Sequence, residues 1–431
     1  MSREENRKNF SKYVSQNILG MIGFSCYVLA DSYFISIAKG ADGLTALNLV
    51  MPLYSIIFSI GEMIGVGSAI RYAIGKIKKD ADADDYFWNA IIWCILSSML
   101  FVFAGIFFSA DIMRILGADE HIVAVGNNYT KIFMCFAPMF MCNYVTNAFV
   151  RNDGAPGIAM SATLFSSLFN IVFDYILMFP MNLGMEGAAL ATALSPIIGM
   201  GICSIHFFSK KSSVRLVVCK PSVRKLVAGS QLGVSAFVGE MSSAVITLAF
   251  NFVILKLAGN VGVAAYGVVA NIAIVTTAVF NGVAQGSQPL ISSCFGKGDN
   301  DGCTQLKRMG YTTAFVLAAV MYSILFIFAG QLVAVFNSEG SEMLRLYATE
   351  GVKLYFIGIF FAGINIVGGG AFSATEDAFK AAVVSVARGF VLILGAVFVM
   401  SALFGMTGVW LAYAVAEGIT TFIMLVMALR V

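Results

Sequence analysis

Apolar runs follow one another along almost the whole chain. Most are longer than the roughly 20 residues a helix needs to cross the hydrocarbon core of a bilayer. No other sequence feature restricts the fold as much. In lipid every backbone N–H and C=O must be satisfied internally, so runs of this length predict helices rather than barrel strands. We place twelve spans at about 13–38, 48–75, 86–110, 124–149, 157–180, 187–208, 228–257, 263–295, 309–336, 347–373, 378–403 and 408–429. Composition supports this reading: 59% of the 431 residues are hydrophobic and 12% charged, whereas soluble domains carry about 25% charged residues. The expected fold is an all-α integral membrane protein.

The connections are short, with one exception. Ser209 to Leu226, reading SKKSSVRLVVCKPSVRKL, separates spans six and seven at the midpoint of the chain. If the N-terminus is cytoplasmic, the inside segments from Arg3 to Arg430 hold 20 Lys and Arg and the outside ends hold six. The positive-inside rule therefore puts both termini and the linker in the cytoplasm of a multi-pass cell-membrane protein. The N-terminal MSREENRKNFSKY leads into the first span rather than into a cleaved signal, because no short apolar segment with an A-x-A site follows. A net charge of +3 gives no reason to expect a nucleic-acid partner, and a monomer is the default expectation. The eight cysteines lack metal or redox spacing and read as small buried hydrophobes.

The two halves repeat. LGMEGAALATA (Leu183 to Ala193) matches FGMTGVWLAYA (Phe404 to Ala414), and VLADSYFISIAKG (Val28 to Gly40) resembles TLAFNFVILKLAG (Thr247 to Gly259). Six spans per half is an even number, so both halves enter from the same side. This predicts two six-helix bundles, residues 1–208 and 228–431, joined by the linker 209–227. They would be related by a pseudo-twofold along the membrane normal, with a substrate cavity between them.

Against that repeat the polar residues stand out. LFNIVFDYILM (Leu168 to Met178) sets Asn170 and Asp174 on one helical face inside an apolar run. A charge there costs at least ~2.5 to 3.5 kcal/mol on insertion scales and marks a functional candidate. Asp31 lies at a similar depth in span one, and Thr192 and Tyr129 reach that level from spans six and four. The second half has Phe250 opposite Asp31, Tyr413 opposite Thr192, and no carboxylate opposite Asp174. Two carboxylates, a carboxamide and a hydroxyl make an all-oxygen set suited to Na+, and a buried acid pair is equally able to hold a proton.

On these residues the chain resembles the multidrug and toxic compound extrusion (MATE) family over essentially its whole length. The match is carried by LADSYF around Asp31, FNIVFD at Asn170 to Asp174, GMEGAALAT ending at Thr192, and VAQGSQPLISSCFGKG from Val283 to Gly298. The resemblance implies a cation-binding network at Asp31, Asn170, Asp174 and Thr192, with Tyr129 and Asn147 as supporting members. Some relatives use an acidic pair in the C-terminal lobe; Glu240 matches one half of it, but span ten offers no carboxylate.

The expectation is an antiporter, not an enzyme, that exports amphipathic, cationic drugs or toxic compounds in exchange for Na+ or H+ by alternating access. No cofactor is expected, and the partners are small molecules and membrane lipid. The alternative is a lipid-linked precursor flippase of the same superfamily, which would line its cavity with several Arg or Lys; Arg388 is the one seen within a span. Glu240, Arg388 and Glu417 also have a plainer reading, in which Arg388 pairs with Glu240 or Glu417 to hold the second bundle together. Asp80 to Asp85 reads as a solvated loop. His121 and His206 fall near span ends, where a proton-carrying role is not expected.

Overall fold

The structure, a computed structural model, describes residues 3–215, 217–336 and 341–429; Arg430, counted above among the basic residues, lies outside them. Every regular element among the described residues is a helix. Among the described residues, nine helices or helix runs are long and apolar enough to cross a membrane. A tenth crossing is formed by Glu120–Cys135 and Ala137–Asn152, which bend by 46° at Phe136. Pro138 accounts for that bend, since it removes a backbone donor from the first turn of the second piece. Two of the nine runs are double: Val223–Gly296 breaks at Gly259, and Ala378–Met427 at Gly405.

Spans one to six are therefore Arg3–Gly40, Asp42–Lys78, Asp85–Ile115, the bent pair, Pro156–Met178 and Gly184–Phe207. Spans seven and eight flank Gly259. Span nine is Asn300–Ile327 continued by Ala329–Phe336, span ten Glu342–Ala374, and spans eleven and twelve flank Gly405. Span eleven carries one π turn, Ala387–Val391.

The repeat is visible in the turns. Gly40 and Gly259 hold corresponding positions, as do Gly184 and Gly405, and all four have φ between 53° and 63°. Left-handed backbone costs a residue with a Cβ about 1–2 kcal/mol, so glycine can end one span and start the next where other residues resist.

Each half has its own apolar core. One gathers Ile57, Phe133, Met141 and Phe149; the other gathers Phe250, Tyr266, Phe356 and Trp410. Phe10 and Val14 of span one pack into the second core, so the halves meet at the end of the bundle that carries Arg3. There the backbones nearly touch. A Cβ added to Gly67 would lie 2.0 Å from the Gly229 carbonyl oxygen, and one added to Gly233 would lie 2.0 Å from that of Met63. Hydrogen bonds between the halves gather at this end too. Asn6 donates to Gln305 at 3.2 Å, Gln305 donates to the Arg3 carbonyl at 3.1 Å, Arg71 donates to the Ala228 carbonyl at 3.1 Å, and Arg71 and Lys78 both pair with Glu376.

The linker lies against the first half. Asp153 accepts from the Ser212 hydroxyl at 3.1 Å and the Ser213 backbone at 2.8 Å, while Asn89 accepts from the Ser222 backbone at 2.7 Å.

Candidate functional site

Spans one and five run side by side in the same direction. Gly20 lies against Met160, a Cβ on Gly23 would fall 2.5 Å from the Leu164 side chain, and the Phe34 ring lies 6.2 Å from that of Tyr175. This register pairs each residue of span one with one about 140 positions later. Asp31 is thereby level with the turn between Asn170 and Asp174. Spans five and six form a tight antiparallel hairpin, in which a Cβ on Gly187 would sit 2.8 Å from the Leu177 carbonyl carbon. The same hairpin lets the Ser166 hydroxyl donate to the Ser195 carbonyl at 2.6 Å and the Asn170 amide donate to the Thr192 hydroxyl at 3.1 Å.

Asp31, Asn170, Asp174 and Thr192 are thus held at one level by three helices. Asn170 and Asp174 are fully buried and Asp31 is 7% exposed. The two carboxylates are near enough to act on each other electrostatically. Their oxygens are short of donors: both carboxylate oxygens of Asp174, Oδ1 of Asp31 and Oδ1 of Asn170 are buried without a hydrogen-bond partner. Buried polar atoms are normally satisfied, so four orphaned acceptors in one place fit an ion or proton. The chemistry of the set is all oxygen, as a hard cation prefers. Among the described residues no group of three or more His, Cys, Asp or Glu side chains could hold a metal ion, so any ion here would rely on amide and hydroxyl oxygens as well.

Tyr129 is buried, and its hydroxyl shares a short hydrogen bond with that of Tyr54. The Tyr54 ring stacks on Phe133 at 3.6 Å between centroids. Both tyrosines lie within electrostatic reach of Asp31 and Asp174. Tyr54 was not legible as a site residue: nothing in YSIIFSI distinguishes it from a core aromatic. Asn147 sits apart. Its amide donates to the Ala159 carbonyl at 3.1 Å and the Thr163 hydroxyl at 3.2 Å.

Asn147 instead lines a cavity that also includes Phe24, Tyr27, Glu62, Arg151 and Glu240. In the second half Arg388 makes a forked pair with Glu417, at 2.7 Å from its terminal nitrogen and 3.0 Å from Nε. The other Glu417 oxygen accepts from Asn365 at 2.7 Å, and Thr421 donates to the Asn365 oxygen at 3.0 Å. This cluster is internally satisfied, in contrast to the one at Asp174. Of the two partners considered for Arg388, the structure selects Glu417, and Glu240 stays in the cavity.

The MatE family profile matches residues 17–176 and 236–399, once in each half. The chain belongs to the MATE family. It is therefore a multi-pass membrane protein of a family of efflux transporters rather than enzymes. Among curated relatives, the multidrug export protein MepA of Staphylococcus aureus (strain MRSA252) is 28% identical over 414 residues, covering 93% of this chain and 89% of that protein. MepA of Staphylococcus saprophyticus is 26% identical over 410 residues, with the same coverage. Among solved structures, an outward-facing multidrug resistance MATE transporter of the MOP superfamily superposes with a TM-score of 0.92 at 20% identity, covering 99% of this chain and 96% of that one. A MOP superfamily transporter from Pyrococcus furiosus, described as having a binding pocket of reverse polarity, superposes at 0.91 with 19% identity, covering 99% and 95%. At such identities these two establish the MATE fold and nothing finer.

Proposed function

We propose that this MATE protein is an antiporter that exports amphipathic, cationic small molecules in exchange for Na+ or H+. The observation that carries the reading is the orphaned oxygen cluster. Asp31, Asn170 and Asp174 present four buried acceptors with no donor, an arrangement that is costly unless something positive visits it. Small-molecule export is supported by the multidrug export relatives.

The coupling ion enters to Asp31 and Asp174 with Thr192 and the Tyr54–Tyr129 pair around it. The bundles 1–208 and 228–431 act as two lobes joined by the linker 209–227, with both termini in the cytoplasm. Exchange requires that the ion and the drug bind the inward-facing and outward-facing states with different affinity, since a ligand indifferent to the two states shifts nothing. The flippase alternative would need several cations along the cavity. Arg151 is the cation among its lining residues, and it is linked to Glu62 through Gln285.

The test is ethidium efflux from proteoliposomes under an imposed Na+ gradient, then under an imposed pH gradient. One of the two should drive export by the native protein, and Asp174→Asn should abolish it while leaving a monodisperse, folded protein. Efflux unchanged in that variant overturns the assignment.

A further inference from the structure

A groove at the end of the bundle that carries Arg3 shares no residue with the cavity or the oxygen cluster. Span one forms one wall and span nine the other, so each half of the chain supplies a side. The walls are tied at the mouth, where Asn6 donates to Gln305 at 3.2 Å. From that contact the lining continues along both spans as far as Ile18 and Leu317.

The lining changes character with depth. On span one Arg7, Ser11, Ser15 and Ile18 follow one another at helical spacing on a single face, and Arg308, Thr312 and Leu317 do the same on span nine. The basic residues therefore stand at the mouth, the hydroxyls behind them and the apolar side chains deepest. At the rise of a helix, Arg7 to Ile18 covers about 17 Å and Arg308 to Leu317 about 14 Å. Half of a hydrocarbon core of roughly 30 Å is about 15 Å. The groove is as deep as one leaflet.

Its mouth carries unmatched positive charge. Arg7 and Arg308 are both exposed, and among the described residues neither guanidinium has a hydrogen-bond or ion-pair partner. No carboxylate lines the groove. A guanidinium stays charged and pairs with phosphate in forked geometry, and basic pockets between membrane helices suit anionic headgroups. A free phosphate would need the mouth alone. The apolar stretch below it calls for an acyl chain.

We propose that this groove binds one anionic phospholipid, with its phosphate between Arg7 and Arg308 and an acyl chain along Ile18, Met309 and Leu317. Because the two guanidiniums belong to opposite halves, the headgroup bridges them. It does so at the end where the backbones at Gly67 and Gly233 already meet the opposite half.

The test is binding of phosphatidylglycerol and of phosphatidylcholine, each with a fluorophore on one acyl chain, to the purified full-length protein in detergent, read by fluorescence anisotropy. The native protein should hold phosphatidylglycerol about tenfold or more tightly than phosphatidylcholine. Arg7→Gln and Arg308→Gln should each weaken phosphatidylglycerol about fivefold, and the double variant about 30-fold, with phosphatidylcholine binding unchanged. That unchanged binding shows that the double variant is folded, and the single variants carry the test if it is not. Lys210→Gln with Lys211→Gln removes the same charge from the linker and should leave both affinities as they were. Equal native affinity for the two lipids overturns the proposal. So does phosphatidylglycerol binding that is unchanged in the arginine variants, or lowered as much in the linker control. Displacement by inorganic phosphate as readily as by unlabelled phosphatidylglycerol would make the groove an anion site and overturns it too. A loss confined to one single variant overturns the bridge between the halves.

Discussion

Asn170 donates its amide to the hydroxyl of Thr192 across spans five and six at 3.1 Å, and its own carbonyl oxygen is left buried without a partner. The contact fixes which way the amide faces. The nitrogen is committed to Thr192, and the oxygen, like both of those of Asp174, lacks a donor.

Thr192→Ala should therefore act on the ion before it acts on the fold. Removing the hydroxyl strands a buried donor, at a cost of about 1–3 kcal/mol, and frees the amide to rotate. Thermal unfolding in detergent should fall by a few degrees. The ion concentration for half-maximal ethidium efflux should rise several-fold, and Thr192→Ser should restore it.

The Arg388–Glu417 pair should behave as structure rather than as a transport site, because Asn365 and Thr421 complete it. Arg388→Ala leaves a buried carboxylate unpaired and should destabilise the protein by about 3–5 kcal/mol. Replacing both partners, Arg388→Met with Glu417→Leu, should recover most of that loss. Efflux by the double variant near the native rate would agree with this; a stable but inactive double variant would place Arg388 in the transport cycle.

Closure at the end carrying Arg3 depends on bare backbone. A methyl group at Gly67 or Gly233 has no room, since each would press on a carbonyl oxygen of the opposite half at 2.0 Å. Gly233→Ala should force spans two and seven apart, at a cost of about 1–3 kcal/mol or more. Trapped between conformations, the variant should lose efflux while keeping ethidium binding.

Asp153 ties the linker down. One carboxylate oxygen accepts from Tyr72 at 2.8 Å, and the other accepts from Ser212, from the Ser213 backbone and from His206 at 2.8 Å. Asp153→Ala should release residues 209–222 while the bundle stays folded. Limited trypsinolysis should then cut after Lys210 and Lys211 well before it does in the native protein, and an unchanged digestion pattern would show that other contacts hold the linker.

Much of the candidate site is legible in the sequence. An aspartate inside LFNIVFDYILM is conspicuous because lipid makes charge expensive, and the internal repeat isolates it by lacking a counterpart. Tyr54 escaped because an aromatic in an apolar span looks the same whether it packs in a core or hands a hydroxyl to Tyr129. Asn147 was grouped with Asp174 by resemblance, yet span four bends at Phe136, and the turn that holds Asn147 lines the separate cavity. Glu62 is a further charge within span two. Its neighbours Gln285 and Glu240 are roughly 180 to 220 positions away in the chain, a separation that no local pattern encodes.

The sequence by itself determined the lipid setting, the helical class, the number of crossings, the halves that repeat and the depth of Asp31 and Asp174, because these follow from hydrophobic length and the rise of a helix. Only the tertiary structure decided which faces meet. Span one lies on span five in a register about 140 residues apart, Arg388 chooses Glu417, and Glu62 comes to line one cavity with Glu240. Those outcomes depend on backbone approach at Gly23, Gly187, Gly67 and Gly233, where the absence of a side chain selects a neighbour that the pattern of apolar residues leaves open.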